Sequence, residues 1–409
     1  MKNVWLLNHY AQEPNGPGGT RHFSLAKHLH SFGWHTSIIA ASTELNTGRQ
    51  RLDDAETCRR EQYEGVEFLW VKTPSYEGNG LGRMRNMLSY TWQVLRLPLM
   101  DQLPKPDVIV GSSVHPFAGW AGLKLAQRYR CPFVFEVRDL WPQTLIDLGR
   151  LKPCSLMAIL LRALERVLYR KASRIVTLLP AIDDYLRPLG VPDSKIVWIP
   201  NGVDLYNFTW RLPVGSGGNF VLMYLGSFGN ANGVDQLLDA MSVLQKRFPE
   251  RRVHLRLIGD GPLKSSFHEL ALSRGLKNVT FEPPVPKNKI SNLAAEADAF
   301  VVCLADVPLY RFGISLNKLF DYLAAGRPVV FAGRTANNPV AEARAGVTVP
   351  PCDPESFANA VISLIDMPAE ERAAMGGRGR KYVEEVYSFE ILAKKFADVL
   401  DAAAMEGKK

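Results

Sequence analysis

The sequence predicts an α/β protein built of two doubly wound, parallel-sheet domains. Three observations carry that expectation. Short β-branched or apolar runs alternate with longer helical patterns, the runs are nearly continuously apolar, and the alternation stops once and starts again. A strand buried on both faces loses the polar–apolar alternation of a half-exposed one, so continuous runs mean a parallel sheet covered by helices on both sides. The length of 409 residues allows two or three domains.

Element by element, the first domain reads as strands at Val4–Asn8, Thr36–Ala40, Val66–Lys72, Asp107–Gly111, Pro132–Val137, Arg174–Leu178 and Lys195–Ile199. Helical periodicity falls at Gly19–Phe32, Pro116–Tyr129 and Leu156–Lys171. The second set of strands is Phe220–Gly226, Arg252–Gly259, Asn278–Phe281, Ala299–Leu304 and Pro328–Ala332. Helices separate them at Val234–Phe248, Leu263–Arg274, Asn288–Ala295 and Leu316–Ala325. A last helix, Phe389–Ala404, follows a Tyr387-Ser388 capping signal. The break lies in the turn-rich Ile199–Asp204 stretch and the weakly apolar Pro213–Asn219 segment. Domains of 1–202 and 203–386 follow, with 387–409 as a terminal helix. Two such domains joined by a hinge place a ligand cleft at the carboxyl ends of their sheets.

Composition excludes several classes. Hydrophobic residues at 46% and charged residues at 22% describe an ordinary globular protein, not a disordered one. The net charge of +8 is unevenly spread: residues 1–200 carry +7 and residues 201–409 carry +1. A uniform nucleic-acid polycation is excluded, and no nucleic-acid partner is expected. The five cysteines are odd in number and scattered, without a CxxC or Cys/His cluster, so reduced thiols are expected and a zinc site is not. No signal segment and no run of about eighteen apolar residues is found, so any membrane contact is peripheral. A cytoplasmic location follows, with the inner face of the plasma membrane as the alternative position.

Three segments carry chemistry. Gly226-Ser227-Phe228-Gly229-Asn230-Ala231-Asn232-Gly233 joins a strand to a helix, where glycines admit an anion and helix N–H groups face it. Such a turn serves tight turning as readily as phosphate binding. Ile258-Gly259-Asp260-Gly261-Pro262-Leu263-Lys264 repeats the arrangement, with Lys264 in a first helical turn that does not favour a cation. That hints at an anionic ligand; an exposed lysine on a solvated face is the equal alternative. The strongest is Tyr310–Pro328. Ser315 is expected to cap the helix that Gly326 ends, while Lys318 and Asp321 share a helical face. A cation for phosphate and a carboxylate for ribose hydroxyls would suit a nucleotide; an i,i+3 ion pair is the plainer reading.

These segments resemble those of the family 4 glycosyltransferases of GT-B fold, over essentially the whole chain. The resemblance rests on Gly18-Gly19-Thr20, Glu136–Pro142, Ile199–Asp204, Gly259–Pro262 and Gly313–Pro328. It is nearest to bacterial O-antigen and capsule sugar transferases, including those for N-acetylfucosamine. The resemblance implies a nucleotide-sugar donor in the C-terminal domain, a saccharide or lipid-linked acceptor in the N-terminal one, and a last helix crossing back to the first domain. It implies a retaining transfer from a UDP-sugar, by front-face substitution without a side-chain nucleophile.

Carried over by position, Asp321 stands where the family has the second Glu of its Glu-x7-Glu motif, and the first falls at Gly313. The first Glu's contact to the donor sugar is then left to backbone N–H groups of Gly313, Ile314, Ser315 and Leu316, or is absent. The family's Arg and Lys after the second domain's first strand are here Ser227 and Asn232, so Lys318, Arg311, Lys264 or Arg138 must neutralise the diphosphate. Gly19, Gly226, Ser227 and Val285 complete the expected donor contacts. No Asp-x-Asp occurs, which favours a metal-free reaction with no cofactor beyond the donor.

In the first domain, His115 at a strand end is expected near the donor sugar, with an ordinary polar loop residue as the alternative. Glu136, Arg138 and Asp139 end another strand. An internal Arg138 salt bridge competes with Glu136 or Asp139 facing acceptor or donor and Arg138 lying near phosphate. Arg162, Arg166 and Arg170 recur along Leu156–Lys171 beside an apolar face, which reads equally as a core-packed helix. In Leu81–Leu97, Arg83, Arg85 and Trp92 are expected at an acceptor or membrane surface. Two alternatives stay open: a UDP-sugar 2-epimerase of the same fold, and a non-catalytic nucleotide-sugar-binding or scaffold subunit.

Overall fold

A computed structural model describes residues 1–14, 16, 19–45, 48–78, 80–208 and 218–407. The chain divides into two units, Met1–Pro200 with Phe389–Lys409, and Asn201–Ser388. The crossings fall after 200 and after 388, two residues from the expected ends. Most of the expected linker, together with Pro17, Gly18 and Lys408–Lys409, lies outside the described residues.

In the first unit the strands are β1 (Lys2–Leu7), β2 (Trp34–Ala41), β3 (Cys58–Tyr63), β4 (Val66–Val71), β5 (Val108–Ser112), β6 (Phe133–Val137), β7 (Arg174–Thr177) and β8 (Ile196–Trp198). Their order is β3-β4-β2-β1-β5-β6-β7-β8, and every pairing is parallel except β3 with β4. The helices are α1 (Arg21–Leu29), α2 (Leu81–Arg96), α3 (Pro116–Tyr129), the short α4 (Gln143–Asp147), α5 (Leu156–Lys171) and the short α6 (Asp183–Leu186). Strand order reverses between β1 and β5, the position at which open sheets of this kind bind ligands.

The second unit has β9 (Phe220–Leu225), β10 (Val253–Ile258), β11 (Val279–Glu282), β12 (Ala299–Cys303), β13 (Val329–Ala332) and β14 (Gly346–Val349), all parallel in the order β11-β10-β9-β12-β13-β14. Its helices are α7 (Val234–Arg247), α8 (Lys264–Ser273), α9 (Lys287–Ala294), α10 (Asn317–Ala324), α11 (Pro339–Glu342), α12 (Pro354–Asp366) and α13 (Ala369–Val386). Order reverses here between β9 and β12. One core of aliphatic and aromatic side chains runs from Leu222 and Tyr224 through Leu255, Val301 and Val330 to Phe357 and Leu364.

After Ser388 the chain forms α14 (Phe389–Glu406), which belongs to the first unit. Its Phe389, Leu392, Phe396 and Leu400 are buried with Val4, Leu6, Val108 and Val134 of the sheet and Leu25 of α1. The expected return to the first domain is present. All twelve expected strands are found within two residues of their expected ends; β3, β14, α12 and α13, together with the short α4, α6 and α11, are additional.

Candidate functional site

The chemistry of the second unit gathers where its strand order reverses. Gly226–Gly233 follows β9, Gly259–Pro262 follows β10, and the segment 304–316 follows β12. Loops on neighbouring strands must approach closely. A side chain on Gly259, at φ +149°, would lie 1.9 Å from the Gly226 carbonyl oxygen, and one on Gly261 would meet Phe228 backbone at 2.7 Å. Only glycine fits either position.

Lys318, in the first turn of α10, reaches into the Gly226–Gly233 turn. Its Nζ donates to Asn232 Oδ1 at 2.7 Å and to the Tyr224 hydroxyl at 3.1 Å, lies 4.4 Å over the Tyr224 ring, and its stem passes Gly226. The turn that lacks its own cations therefore receives one from α10. Burial lowers this ammonium to about 7. Asp321, one turn on, is half-buried, and its carboxylate makes no hydrogen bond or ion pair among the described residues. Lys318 and Asp321 share a face but are not paired to each other, so the plainer reading of the spacing does not hold. Burial raises the Asp321 carboxyl to about 6, with Lys287 lowering it and Asp204 raising it further.

The 313–316 loop corrects the expectation on two points. Ser315 does not cap α10: the capping position is Leu316, without a side-chain bond, and Ser315 Oγ instead accepts the Asn201 N–H at 2.7 Å. The Gly313 N–H donates to Tyr310 O, and the Ile314 N–H donates to Asn337 Oδ1. Neither is left for a sugar. Two asparagines clasp this loop. Asn337 bonds both the N–H and the carbonyl of Ile314, and Asn201 Nδ2 donates to the Ser315 carbonyl at 2.6 Å. Asn201 is only 5% exposed, and its Oδ1 is buried without a partner. Neither asparagine was singled out from the sequence; the Asn-Gly-Val-Asp run was the available signal for Asn201.

Lys264 is not the freely solvated lysine of the plainer reading. Its Nζ straps two loops by donating to Gly259 O at 2.8 Å and Glu282 O at 2.9 Å, half-buried over the Phe228 ring. Ser227 is exposed, its carbonyl accepting the Tyr224 hydroxyl. Val285 lies half-buried in the turn between β11 and α9. Arg311 is exposed and stacks on Phe312.

The first unit also collects polar groups where its strand order reverses, but it buries them. Glu136 is fully buried, and its carboxylate is taken up by three internal donors. It accepts from Arg21 Nε at 3.0 Å, from His22 Nε2 at 2.5 Å and from Ser112 Oγ at 2.6 Å. Its partners are Arg21 and His22 rather than Arg138. Burial alone would raise the Glu136 carboxyl; His22, Arg21 and Arg138 hold it well below the usual range. Arg21 also donates to the carbonyls of Ile199 and Pro200, the last residues before the chain leaves this unit. Gly19, just before α1, is half-buried.

His115 is not a polar loop residue but the cap of α3. Its Nδ1 accepts the Ala118 N–H at 3.3 Å, so the ring proton sits on Nε2, which donates to His9 Nδ1 at 2.6 Å. His9 then donates through Nε2 to Asn86 Oδ1, and Asn86 Nδ2 to the Pro74 carbonyl, both at 2.6 Å. Every nitrogen is used with both rings neutral. Burial lowers His115 to about 3 and takes His9 well below its ordinary value. Arg138 is half-buried with Nε unpartnered, its N–H bonded to Ser113 Oγ, and Asp139 is exposed. Arg83 lies over the Tyr10 ring and bonds its hydroxyl; Arg85 and Trp92 are exposed on α2.

Comparison with known proteins agrees with this geometry. A family model described as glycosyl transferase 4-like domain matches residues 18–202, and one described as glycosyl transferases group 1 matches residues 219–367. The sequence is 23% identical over 300 residues to "Probable glycosyltransferase WbjE" of Pseudomonas aeruginosa, covering 69% of this chain and 71% of that protein. It is 27% identical over 329 residues to D-inositol 3-phosphate glycosyltransferase 2 of Catenulispora acidiphila, covering 74% and 73%. In three dimensions it is similar to sucrose-phosphate synthase from Thermosynechococcus elongatus, with a TM-score of 0.74 over 97% of this chain and 98% of that one, at 18% identity.

Proposed function

The chain belongs to the glycosyltransferases of GT-B type, and on that premise we propose that it transfers a sugar from a UDP-sugar, with retention and without a metal ion, to a saccharide or lipid-linked acceptor. Bacterial O-antigen or capsule assembly at the cytoplasmic face of a membrane is the setting the sequence resemblance supports. One observation carries the donor assignment. A single short helix delivers a cation into a glycine-rich turn through Lys318, and one turn later presents an unbonded carboxylate, Asp321.

In this reading Asp321 accepts the two ribose hydroxyls, and Lys318 neutralises the diphosphate, aided by N–H groups at the start of α10. The metal-free proposal rests on these groups stabilising the departing diphosphate, and on the absence of Asp-x-Asp from the sequence. The acceptor hydroxyl attacks from the side of the leaving group, its proton passes to a diphosphate oxygen, and the protein supplies position and charge. Glu136 and His115 take no part as acid or base, since each is fully hydrogen-bonded in the interior. A thermal-shift screen of UDP-, GDP- and dTDP-sugars tests the donor. Stabilisation by UDP-sugars, followed by transfer of labelled sugar to a lipid-linked saccharide, is expected. No stabilisation by any nucleotide would overturn the reading.

A further inference from the structure

The helices covering the first unit's sheet are divided very unequally by charge. Helix α3 packs against α2 on one side and α5 on the other, while α1 and α14 pack against each other. Right-handed crossovers put α2, α3 and α5 on one face, because β4, β5, β6 and β7 are joined moving the same way across the sheet, and α1 on the other. The α2–α3–α5 layer carries nine Lys or Arg residues and one carboxylate, Glu165. That carboxylate is turned inward, buried and bonded to the hydroxyls of Tyr169 and Tyr185 at 2.8 and 2.9 Å. The α1 and α14 helices together carry four basic and four acidic residues.

The same layer exposes large apolar side chains. At the start of α5, Leu156, Met157, Ile159 and Leu160 are 47–72% exposed, and on α2 Trp92 is 54% exposed with Arg96 stacked on it. An ordinary surface helix turns such residues inward; α5 turns in Ala158, Leu161, Glu165 and Leu168 and still leaves four outside. Arg166, Arg170 and Lys171 follow, all exposed. Adjacent apolar and cationic surface without an outward carboxylate matches acyl chains beneath anionic headgroups. A polyanion without an apolar layer would leave the leucines uncovered.

We propose that the α2–α3–α5 layer is a bilayer-binding face for anionic lipid, with the first two turns of α5 as its inserted element. The proposal rests on the membrane setting of the function proposed above but not on its donor chemistry, so the two are tested apart. The full chain is floated with phosphatidylcholine vesicles with and without about 30% phosphatidylglycerol, at about 0.1 M NaCl. Partition roughly tenfold or more in favour of the anionic vesicles is expected. Leu156→Ser with Leu160→Ser is expected to weaken binding about tenfold, and Arg166→Glu with Arg170→Glu at least as much. Lys394→Glu with Lys395→Glu on α14 is expected to leave it unchanged. Wild-type protein that stays with the buffer would overturn both this proposal and the membrane setting. Wild-type binding that survives the α5 changes would overturn the proposal alone, and sensitivity to the arginine pair but not the leucine pair would mean a polyanion surface rather than insertion. UDP-sugar stabilisation, read separately, decides the donor assignment in each case.

Discussion

Asn201 holds Ser315 at two points, its N–H on the Ser315 hydroxyl and its amide nitrogen on the Ser315 carbonyl, across 114 residues of sequence. The loop at the head of α10 is thus set by the first residue of its unit. Asn201→Ala keeps the backbone bond but removes the Nδ2 bond to the Ser315 carbonyl and leaves that carbonyl unpaired, and is expected to weaken UDP-sugar binding about tenfold, roughly 1.4 kcal/mol. Calorimetry with UDP-sugar measures it. An affinity within twofold of wild type would refute the positioning role.

Donor affinity is expected to peak between pH about 6 and about 7. Ribose hydroxyls bond the ionised Asp321, whose folded carboxyl titrates at about 6, so affinity rises with pH through that value. The diphosphate needs protonated Lys318, which titrates at about 7, so affinity falls again above it. Asp321→Asn should flatten the acid limb and Lys318→Arg the alkaline one. Calorimetric titrations across this range check both limbs.

Glu136→Gln strips the counter-charge from buried Arg21 and is expected to cost about 3–5 kcal/mol. Urea unfolding of the first unit reads this loss, while UDP affinity should stay within twofold. With a depressed folded pKa, the stabilisation by Glu136 is complete at neutral pH and disappears as pH falls through that value.

Both His9 and His115 should be neutral Nε2–H tautomers at pH 6. The Ala118 N–H fixes one end of their relay and the Pro74 carbonyl, which can only accept, fixes the other. Long-range proton–nitrogen correlation spectra report tautomer and charge directly. Either ring protonated at pH 6 would contradict the bond order. His115→Ala should cost about 1–2 kcal/mol through the lost cap, and His115→Asn less.

The fold was largely legible because strands buried on both faces write continuous apolar runs. Strand β3 was not: Cys58-Arg59-Arg60-Glu61-Gln62-Tyr63 is an edge strand whose charges find partners beside it, Arg60 pairing with Glu67. Helix α13 was hidden by Gly376, Gly377 and Gly379; at Gly376 the missing Cβ lets the Gly326 carbonyl come within contact. Lys318 and Asp321 could be read because glycine, serine and proline mark both ends of their helix. Asn201, Arg21 and His9 could not, since each acquires its role from a partner brought close only by the sheet. Distance in sequence also misled for Glu136, whose neighbour Arg138 was the obvious counter-charge, whereas its partners lie more than a hundred residues away in α1.

Helix α14 makes the first unit a discontinuous piece of chain, and this bears on how the protein can be made. Residues 1–200 leave the ribosome with one face of their sheet covered by α1 alone, leaving Val4, Leu6, Val108 and Val134 incompletely covered until Phe396 and Leu400 are synthesised. The second unit, contiguous from 201 to 388, completes itself sooner. The later half of the chain is therefore able to mature first, and a nascent first half carries a partly bare apolar surface for most of translation, a natural target for chaperones.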